Sequence, residues 1–207
     1  MAPVQPKQSS KQSRMTGADR REQLLDVTLE LVTERGFGGV SIEAVARGAG
    51  ITRPIVYKHF GDLDGLLEEL VEREMSQAAA QVSETQLAEL TEGPAVDLMI
   101  ESLTAYLHVV RTHPDTWRLV LMPPNGAPDL LRKRIEAGRA EVLGHLIAAV
   151  EPSLEGFAES PDAELTARML SAISDEYARL MLSDPERFPP DRLLRHARWM
   201  LELGVSG

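Results

Sequence analysis

An all-α fold follows from three features of the sequence. Helix-length stretches with apolar residues at three-to-four spacing succeed one another, proline and glycine punctuate them, and no run alternates apolar and polar residues as a half-buried strand does. The punctuation predicts about nine helices. At 207 residues, 43% hydrophobic and 26% charged, the chain has an ordinary globular composition and room for one large or two small domains. No stretch approaches the roughly 20 apolar residues of a membrane span. The lack of cysteine excludes disulfides and thiolate metal sites and fits a reducing compartment.

Residues 1–17, opening MAPVQPKQSSKQSR, are rich in Gln, Ser and Lys and lack the apolar core of a signal peptide, so a disordered basic tail on a cytoplasmic protein is expected. Met1 and Met15 are both candidate starts. Next, RREQLLDVTLELVTERGFGG makes an amphipathic helix with Leu24, Leu25, Thr28, Leu31 and Val32 on one side, ended by Gly36 and followed by Phe37 as a hydrophobic plug. Ser41 is placed to cap a second helix whose Ile42, Val45, Ala46 and Ala49 share a buried face, and Gly48 and Gly50 stop it. Gly50 is expected in the left-handed conformation that a sharp turn requires. Thr52 is placed as the next N-cap, with Pro54 tolerated in the first turn because its missing N–H costs little there. Ile51, Val56 and Phe60 then face inward. Thr52, Arg53, Tyr57, Lys58 and His59 remain outside, and their donors, cations and flat ring suit phosphates and base edges. Asp62 caps a fourth helix starting at Leu63. Two short helices around a glycine turn, the second one basic, form a helix-turn-helix and point to double-stranded DNA as partner.

The net charge of −10 is divided unevenly. Residues 1–60 hold nine Lys/Arg against six Asp/Glu, and residues 61–207 hold thirteen against twenty-six. This asymmetry allows a basic face to dock on phosphate while the acidic body stays away from it. Lys7, Lys11, Arg14, Arg20 and Arg21 either add nonspecific attraction or minor-groove contacts, or serve solubility alone.

Residues 20–66 resemble the DNA-binding domain of the tetracycline-repressor (TetR) family of bacterial transcription regulators. The shared pattern stands here as Gly36-Phe37, Ser41, Val45-Ala46, Ala49-Gly50, Ile51-Thr52 and Tyr57-Lys58-His59-Phe60. It implies a three-helix DNA-binding domain, residues 18–62, followed by a helical ligand-binding and dimerisation domain, residues 63–207. Ser41, Thr52, Arg53, Pro54, Tyr57, Lys58 and His59 become the candidate DNA-contacting set, with Ser41 and Tyr57 assigned to phosphate and Arg53 and Lys58 to a mixture of base and phosphate. The chain departs from the family pattern at Leu63, where a phosphate-binding lysine is usual, and at Thr28, where alanine is usual. Pro54 replaces a small residue; its ring either meets a thymine methyl or stiffens the first turn.

Beyond Phe60 the punctuation predicts a long helix from Leu63 to about Leu90, ended by Thr91 to Gly93, and another from Pro94 to the Pro114 break bearing Val96, Met99, Ile100, Leu103, Leu107 and Val110. A short helix over Thr116 to Met122 and the MPPNGAP break follow. A helix from Pro128 to Glu151-Pro152 carries Leu130, Leu131, Ile135, Val142, Leu143, Leu146 and Ile147, and the last two helices run from Pro161 to Leu182 and from Pro190 to about Leu203. Stripes at Leu165, Met169, Ala172, Ile173, Tyr177 and Leu180, and at Leu194, Ala197 and Leu201 with Trp199 and Met200 nearby, either complete the subunit's own core or pair two subunits. The resemblance implies a homodimer joined by these two helices, with Leu165, Met169, Ile173, Leu180, Leu194, Ala197 and Leu201 as interface residues. Such a dimer reads a palindrome with half-sites about one helical turn apart or slightly more.

The resemblance also implies a small-molecule effector inside the body, for which Met99, Leu103, Tyr106, Trp117, Leu121, Met122, Leu143 and Tyr177 are candidate lining residues. Met and aromatic side chains at helical spacing serve equally as core. Arg118, His108 and His113 are candidate anchors for an acidic effector, or surface residues near the Pro114 break. No cofactor or metal is implied, because the histidines, His59, His108, His113, His145 and His196, form no ligand pair and no HExxH occurs. The carboxylate runs Glu68-Glu69 and Glu72-Arg73-Glu74 read as solvated helix faces. The expectation is therefore a ligand-responsive transcriptional repressor and not an enzyme; the alternative is a helical protein-interaction module without sequence-specific DNA binding.

Overall fold

A computed structural model of the chain describes residues 15–84, 95–154 and 162–205. Nine α-helices and no strand are found among the described residues. Helices α1 (Gly17–Arg35), α2 (Ile42–Gly48) and α3 (Arg53–Phe60) make a head. The body contains α4 (Leu63–Glu84), α5 (Ala95–Thr112), α6 (Pro114–Leu121), α7 (Asp129–Val150), α8 (Ala163–Ser183) and α9 (Pro190–Val205). Short 3-10 turns follow α1 and α7. The expected ending of α4 near Leu90 and the starts at Pro94 and Pro161 lie outside the described residues, as does the tail through Arg14.

α1 begins at Gly17, inside the stretch expected to be tail. The cause is a reciprocal cap: the Thr16 hydroxyl accepts from the Asp19 amide at 3.1 Å and the Asp19 carboxylate accepts from the Thr16 amide at 3.2 Å. One face of α1 then supplies Leu24, Leu25, Thr28, Leu31 and Val32 to the interior. Thr28, where a hydroxyl replaces the expected methyl, satisfies itself by donating to the Leu24 carbonyl at 2.6 Å. Phe37, 4% exposed, plugs the end of the helix as expected.

Two apolar clusters organise the molecule. The first joins α1, α2 and α3 through Val32, Val45, Val56 and Phe60, and it continues past Asp62 into Leu66, Leu70 and Val71 of α4, Leu119 of α6, Ala127, and Leu131 and Ile135 of α7. The second lies in the body, where Leu103, Leu107 and Val110 of α5 meet Trp117 and Leu121 of α6, Tyr177, Ala178 and Met181 of α8, and Leu193 and Ala197 of α9. α4 serves both, because Ala78 belongs to the second cluster.

The solvated reading of Glu72-Arg73-Glu74 is corrected at its last member. Glu74 is 1% exposed, with its carboxylate accepting from the Thr116 hydroxyl of α6 at 2.5 Å and paired with Arg73 at 2.8 Å. Arg73 also reaches Asp26 at 2.7 Å and Glu22 at 3.1 Å on α1. Burial works against its charge, but the Asp26, Glu74 and Glu22 carboxylates outweigh that effect and raise its pKa. A buried charge tolerates this position only because every polar atom around it is matched.

Candidate nucleic-acid interface

The turn between α2 and α3 is built as its residues require. Ser41 caps α2 by accepting from the Ala44 amide at 3.2 Å, which leaves its hydroxyl proton available to an outside acceptor. Gly48 sits where a Cβ would stand 2.7 Å from Cγ1 of Val27, so glycine permits the close approach of α2 to α1. Gly50 has φ 66°, the left-handed conformation expected of it.

Thr52 holds the N-cap position of α3, yet its hydroxyl makes no capping hydrogen bond. Thr52 thus opens α3 as the expected N-cap but without a side-chain bond, and the reason is Pro54. A capping oxygen normally accepts from the second or third helical amide. The second residue of α3 is Pro54, which has none, and the Ile55 amide bonds the Thr52 carbonyl at 3.0 Å instead. The hydroxyl is left for another partner.

α3 is divided along its length. Val56 and Phe60, one turn apart, are buried in the head, and Ile51 packs beside them. Thr52, Arg53, Pro54, Tyr57 and Lys58 are exposed, with Tyr57 51% accessible. Pairs at Arg53 and Tyr57 and at Pro54 and Lys58, each four residues apart, stack into one ridge along the helix. Arg53 and Lys58 form no ion pair with any described residue. His59 is half-buried, its ring 6.2 Å from that of Phe60, and so flanks the ridge. Ile55 is 37% exposed beside the ridge and was missed by sequence reasoning, which had no reason to send a large apolar residue outward. Leu63, in the place of the usual lysine, packs against the head core. What this surface offers is two cations, a phenol, two hydroxyls and the apolar edges of Pro54 and Ile55, on a short helix held from behind.

The residues expected to line an effector site are gathered differently. Leu103, Trp117, Leu121 and Tyr177 are buried in the body core, and Tyr106 and Met122 pack against it. Met99 and Leu143 are half-buried. The Tyr106 and Trp117 rings meet edge to face at 5.2 Å, and the indole N–H donates to Gln81 at 2.9 Å. Tyr106 donates to Asp175 at 3.2 Å; burial first, then the nearby carboxylate, hold its pKa well above the ordinary phenol value. Burial likewise raises the Asp175 pKa, against the opposing pull of Arg139, the Tyr106 hydroxyl and Arg179. Of the proposed anchors, Arg118 is half-exposed and pairs with Asp115 at 3.0 Å, and His113 is exposed. His108 lines an open surface depression of about 420 Å³ with Glu101, Thr104, Ala105 and Val109 of α5, and none of the eight expected residues lines it.

α8 and α9 present the largest exposed apolar side chains. Leu165 and Met169 of α8 are 61% and 63% accessible, and Trp199 and Leu203 of α9 are 56% and 57% accessible. Met200 joins them, in contact with the Tyr177 hydroxyl through its sulfur at 3.7 Å. Of the expected interface residues, Leu165 and Met169 are exposed, whereas Ala197 is buried in the subunit's own core and Ile173, Leu180 and Leu194 pack against it. Leu201 is half-buried. The stripe on α9 that periodicity singled out is thus its inner side.

Residues 24–70 match the sequence profile of bacterial regulatory proteins of the tetR family. An HTH-type transcriptional regulator of Mycobacterium tuberculosis is 30% identical over 135 residues, which are 64% of this chain and 62% of that one. The chain thus spans less than two thirds of that relative's length. The BetI regulator of Burkholderia thailandensis is 49% identical over 49 residues, 24% of this chain and 25% of its own. Among solved structures, a TetR-like transcriptional regulator from Rhodococcus sp. RHA1 superposes with a TM-score of 0.68 at 21% identity, covering 94% of this chain and all of its own. A transcriptional regulator from Pseudomonas aeruginosa PAO1 does so with a TM-score of 0.69 at 20% identity, over 97% of each chain. These relatives are transcription regulators, not enzymes. The helix-turn-helix in the matched segment carries the tetR-family profile, and the all-helical fold around it is that of the TetR-like structures; together they support a TetR-family transcriptional regulator.

Proposed function

We propose that this regulator acts in the cytoplasm as a homodimeric repressor that binds a palindromic operator through α3 and is released by a small-molecule effector held in the body. The observation that carries the reading is the two-sidedness of α3: Val56 and Phe60 are buried while Arg53, Pro54, Tyr57 and Lys58 stand in one exposed ridge. An α-helix of this kind fits the major groove, where Arg53 and Lys58 reach guanine acceptors or phosphates and Ser41, Thr52 and Tyr57 reach phosphates. Pro54 and Ile55 supply apolar edges suited to a thymine methyl. The half-buried His59 contributes at the rim.

Dimerisation is supported by the apolar face of Leu165, Met169, Trp199, Met200 and Leu203, since exposed groups of large apolar residues mark interaction surfaces. A two-fold axis through that face doubles the bases read and sets the half-site spacing. For the effector, the buried Trp117 with the half-buried Tyr106 and Asp175 beside it offers an apolar wall with polar tips, and ligand entry there must displace core contacts between α5, α6 and α8.

The test is selection of bound sequences from a random duplex library at moderate salt. Recovery of a palindromic motif, bound less tightly as salt rises, is the expected result. Recovery of nothing above background by the folded protein would sink the operator reading.

A further inference from the structure

Arg21 reads, in sequence, as one of a group of terminal cations available to phosphate. The structure uses it on three neighbours at once. Its Nη1 donates to the carbonyl oxygen of His59 at 2.6 Å, its Nη2 pairs with the Glu69 carboxylate of α4, and its guanidinium carbon lies 4.6 Å from the centre of the Phe60 ring. α3 ends at Phe60, so the His59 carbonyl belongs to the last turn, whose carbonyls have no intrahelical partner. A cationic donor at that end also complements the helix dipole. One planar group on α1 therefore touches both the recognition helix and the helix that follows it.

The burial of Val56 and Phe60 sets how deeply α3 sits, but apolar contact is non-directional and leaves the helix able to roll and tilt. The hydrogen bond and the ring stacking are directional, and both act at the C-terminal end, within one turn of Tyr57 and Lys58. Arg21 and Glu69 are each more than a third exposed, so as an ion pair they add little stability. Their contribution is geometric: Glu69 holds the guanidinium flat while it grips the His59 carbonyl. We propose that Arg21, oriented by Glu69, is a positioning residue that fixes the C-terminal end of α3 and thereby aims Tyr57 and Lys58 at DNA. This rests on the DNA-binding reading above.

The experiment compares Arg21→Gln, Arg21→Lys and Glu69→Gln with the wild type in two assays. The first is binding to the operator duplex recovered by selection, at several salt concentrations. The second, on DNA-free protein, is amide exchange over residues 57–61, including the Gly61 amide that bonds the Tyr57 carbonyl at 2.9 Å. Arg21→Gln is expected to weaken binding on the order of tenfold, the loss of one charge-assisted hydrogen bond, with the salt slope unchanged. Arg21→Lys does not restore affinity, because an ammonium cannot grip two acceptors and lie flat on a ring. Glu69→Gln also weakens binding, although it removes a negative charge from the DNA-binding end. Exchange over residues 57–61 rises for Arg21→Gln and Glu69→Gln. A phosphate-contacting Arg21 gives the opposite pattern, with recovery by lysine, a salt slope lower by about one in Arg21→Gln, and tighter binding by Glu69→Gln; that pattern overturns the proposal. Unchanged exchange in Arg21→Gln overturns it independently of any operator. A wild-type protein that selects no DNA defeats the operator reading alone, and the exchange arm still decides whether Arg21 holds α3.

Discussion

At position 54 a proline ring withholds the amide that the Thr52 hydroxyl would otherwise take, so the residue opening α3 keeps a polar group unspent beside Arg53. Arg53 is the side chain on this ridge best suited to a guanine edge. Arg53→Ala is expected to weaken operator binding by about 1 to 3 kcal/mol with relaxed preference at one base pair, as measured by titration against single-position operator variants. Loss spread evenly over all variants would make it a backbone contact instead. Gly50 has φ 66° and nothing within 4 Å of a built Cβ, so any cost of Gly50→Ala is conformational; roughly 1 to 2 kcal/mol of stability should be lost in urea denaturation. Asp175 gives a pH-dependent expectation. Its folded pKa is raised above the ordinary 3.8, chiefly by burial, so the ionised form costs stability as pH rises from that ordinary value through the folded one. Asp175→Asn keeps an acceptor for the Tyr106 hydroxyl and removes the charge. Its stability relative to the wild type should therefore be higher at pH 7 than at pH 3, and denaturant melts at the two pH values check the sign.

Among the elements, α4 is the one whose sequence conceals its use. Its Glu72-Arg73-Glu74 run has the look of a solvated face, and Glu72 is indeed exposed and bonded to Arg134 of α7. Glu74, two positions on, is sealed beneath Thr116 of α6. Thr116→Val leaves a buried carboxylate oxygen without its donor, and a loss of about 1 to 3 kcal/mol is expected in the same denaturation assay. The contrast shows what was legible. Ser41 and Gly50 take their roles from neighbours within a turn, and the inward side of Val56 and Phe60 is announced by their helical spacing. Glu74 takes its role from a helix 42 residues away, and Arg21 from residues 38 and 48 away, so no local pattern announces either. α9 is ambiguous for a third reason: it is apolar on two sides, with Leu193 and Ala197 inward and Trp199 and Leu203 outward. Periodicity detects that a stripe exists and cannot say which of two stripes meets the subunit's own core.

For the molecule as a whole, the proposed dimer rests on the apolar side chains that α8 and α9 expose. Met169→Asp combined with Trp199→Asp places charges on residues 63% and 56% exposed in the single subunit, where they disturb little of its interior. Sedimentation at micromolar concentration should show a folded monomer in place of a dimer, with operator affinity falling because the two heads are no longer tied. A monomeric wild type would remove the premise. The head has a further property that follows from how its core is closed. Leu66, Leu70 and Val71 of α4, Leu119 of α6, Ala127, and Leu131 and Ile135 of α7 all belong to the same cluster as Val32, Val45 and Phe60. The loop between α6 and α7 also lies against the end of α1, close enough that a Cβ on Gly36 would stand 3.4 Å from the Asn125 carbonyl oxygen. DNA recognition in this chain is consequently not a portable cassette. A graft that moved only residues 18–62 onto another effector body would leave part of its core behind, and a chimera that keeps the reading head intact has to bring the first turns of α4, the 119–127 stretch and the opening of α7 with it.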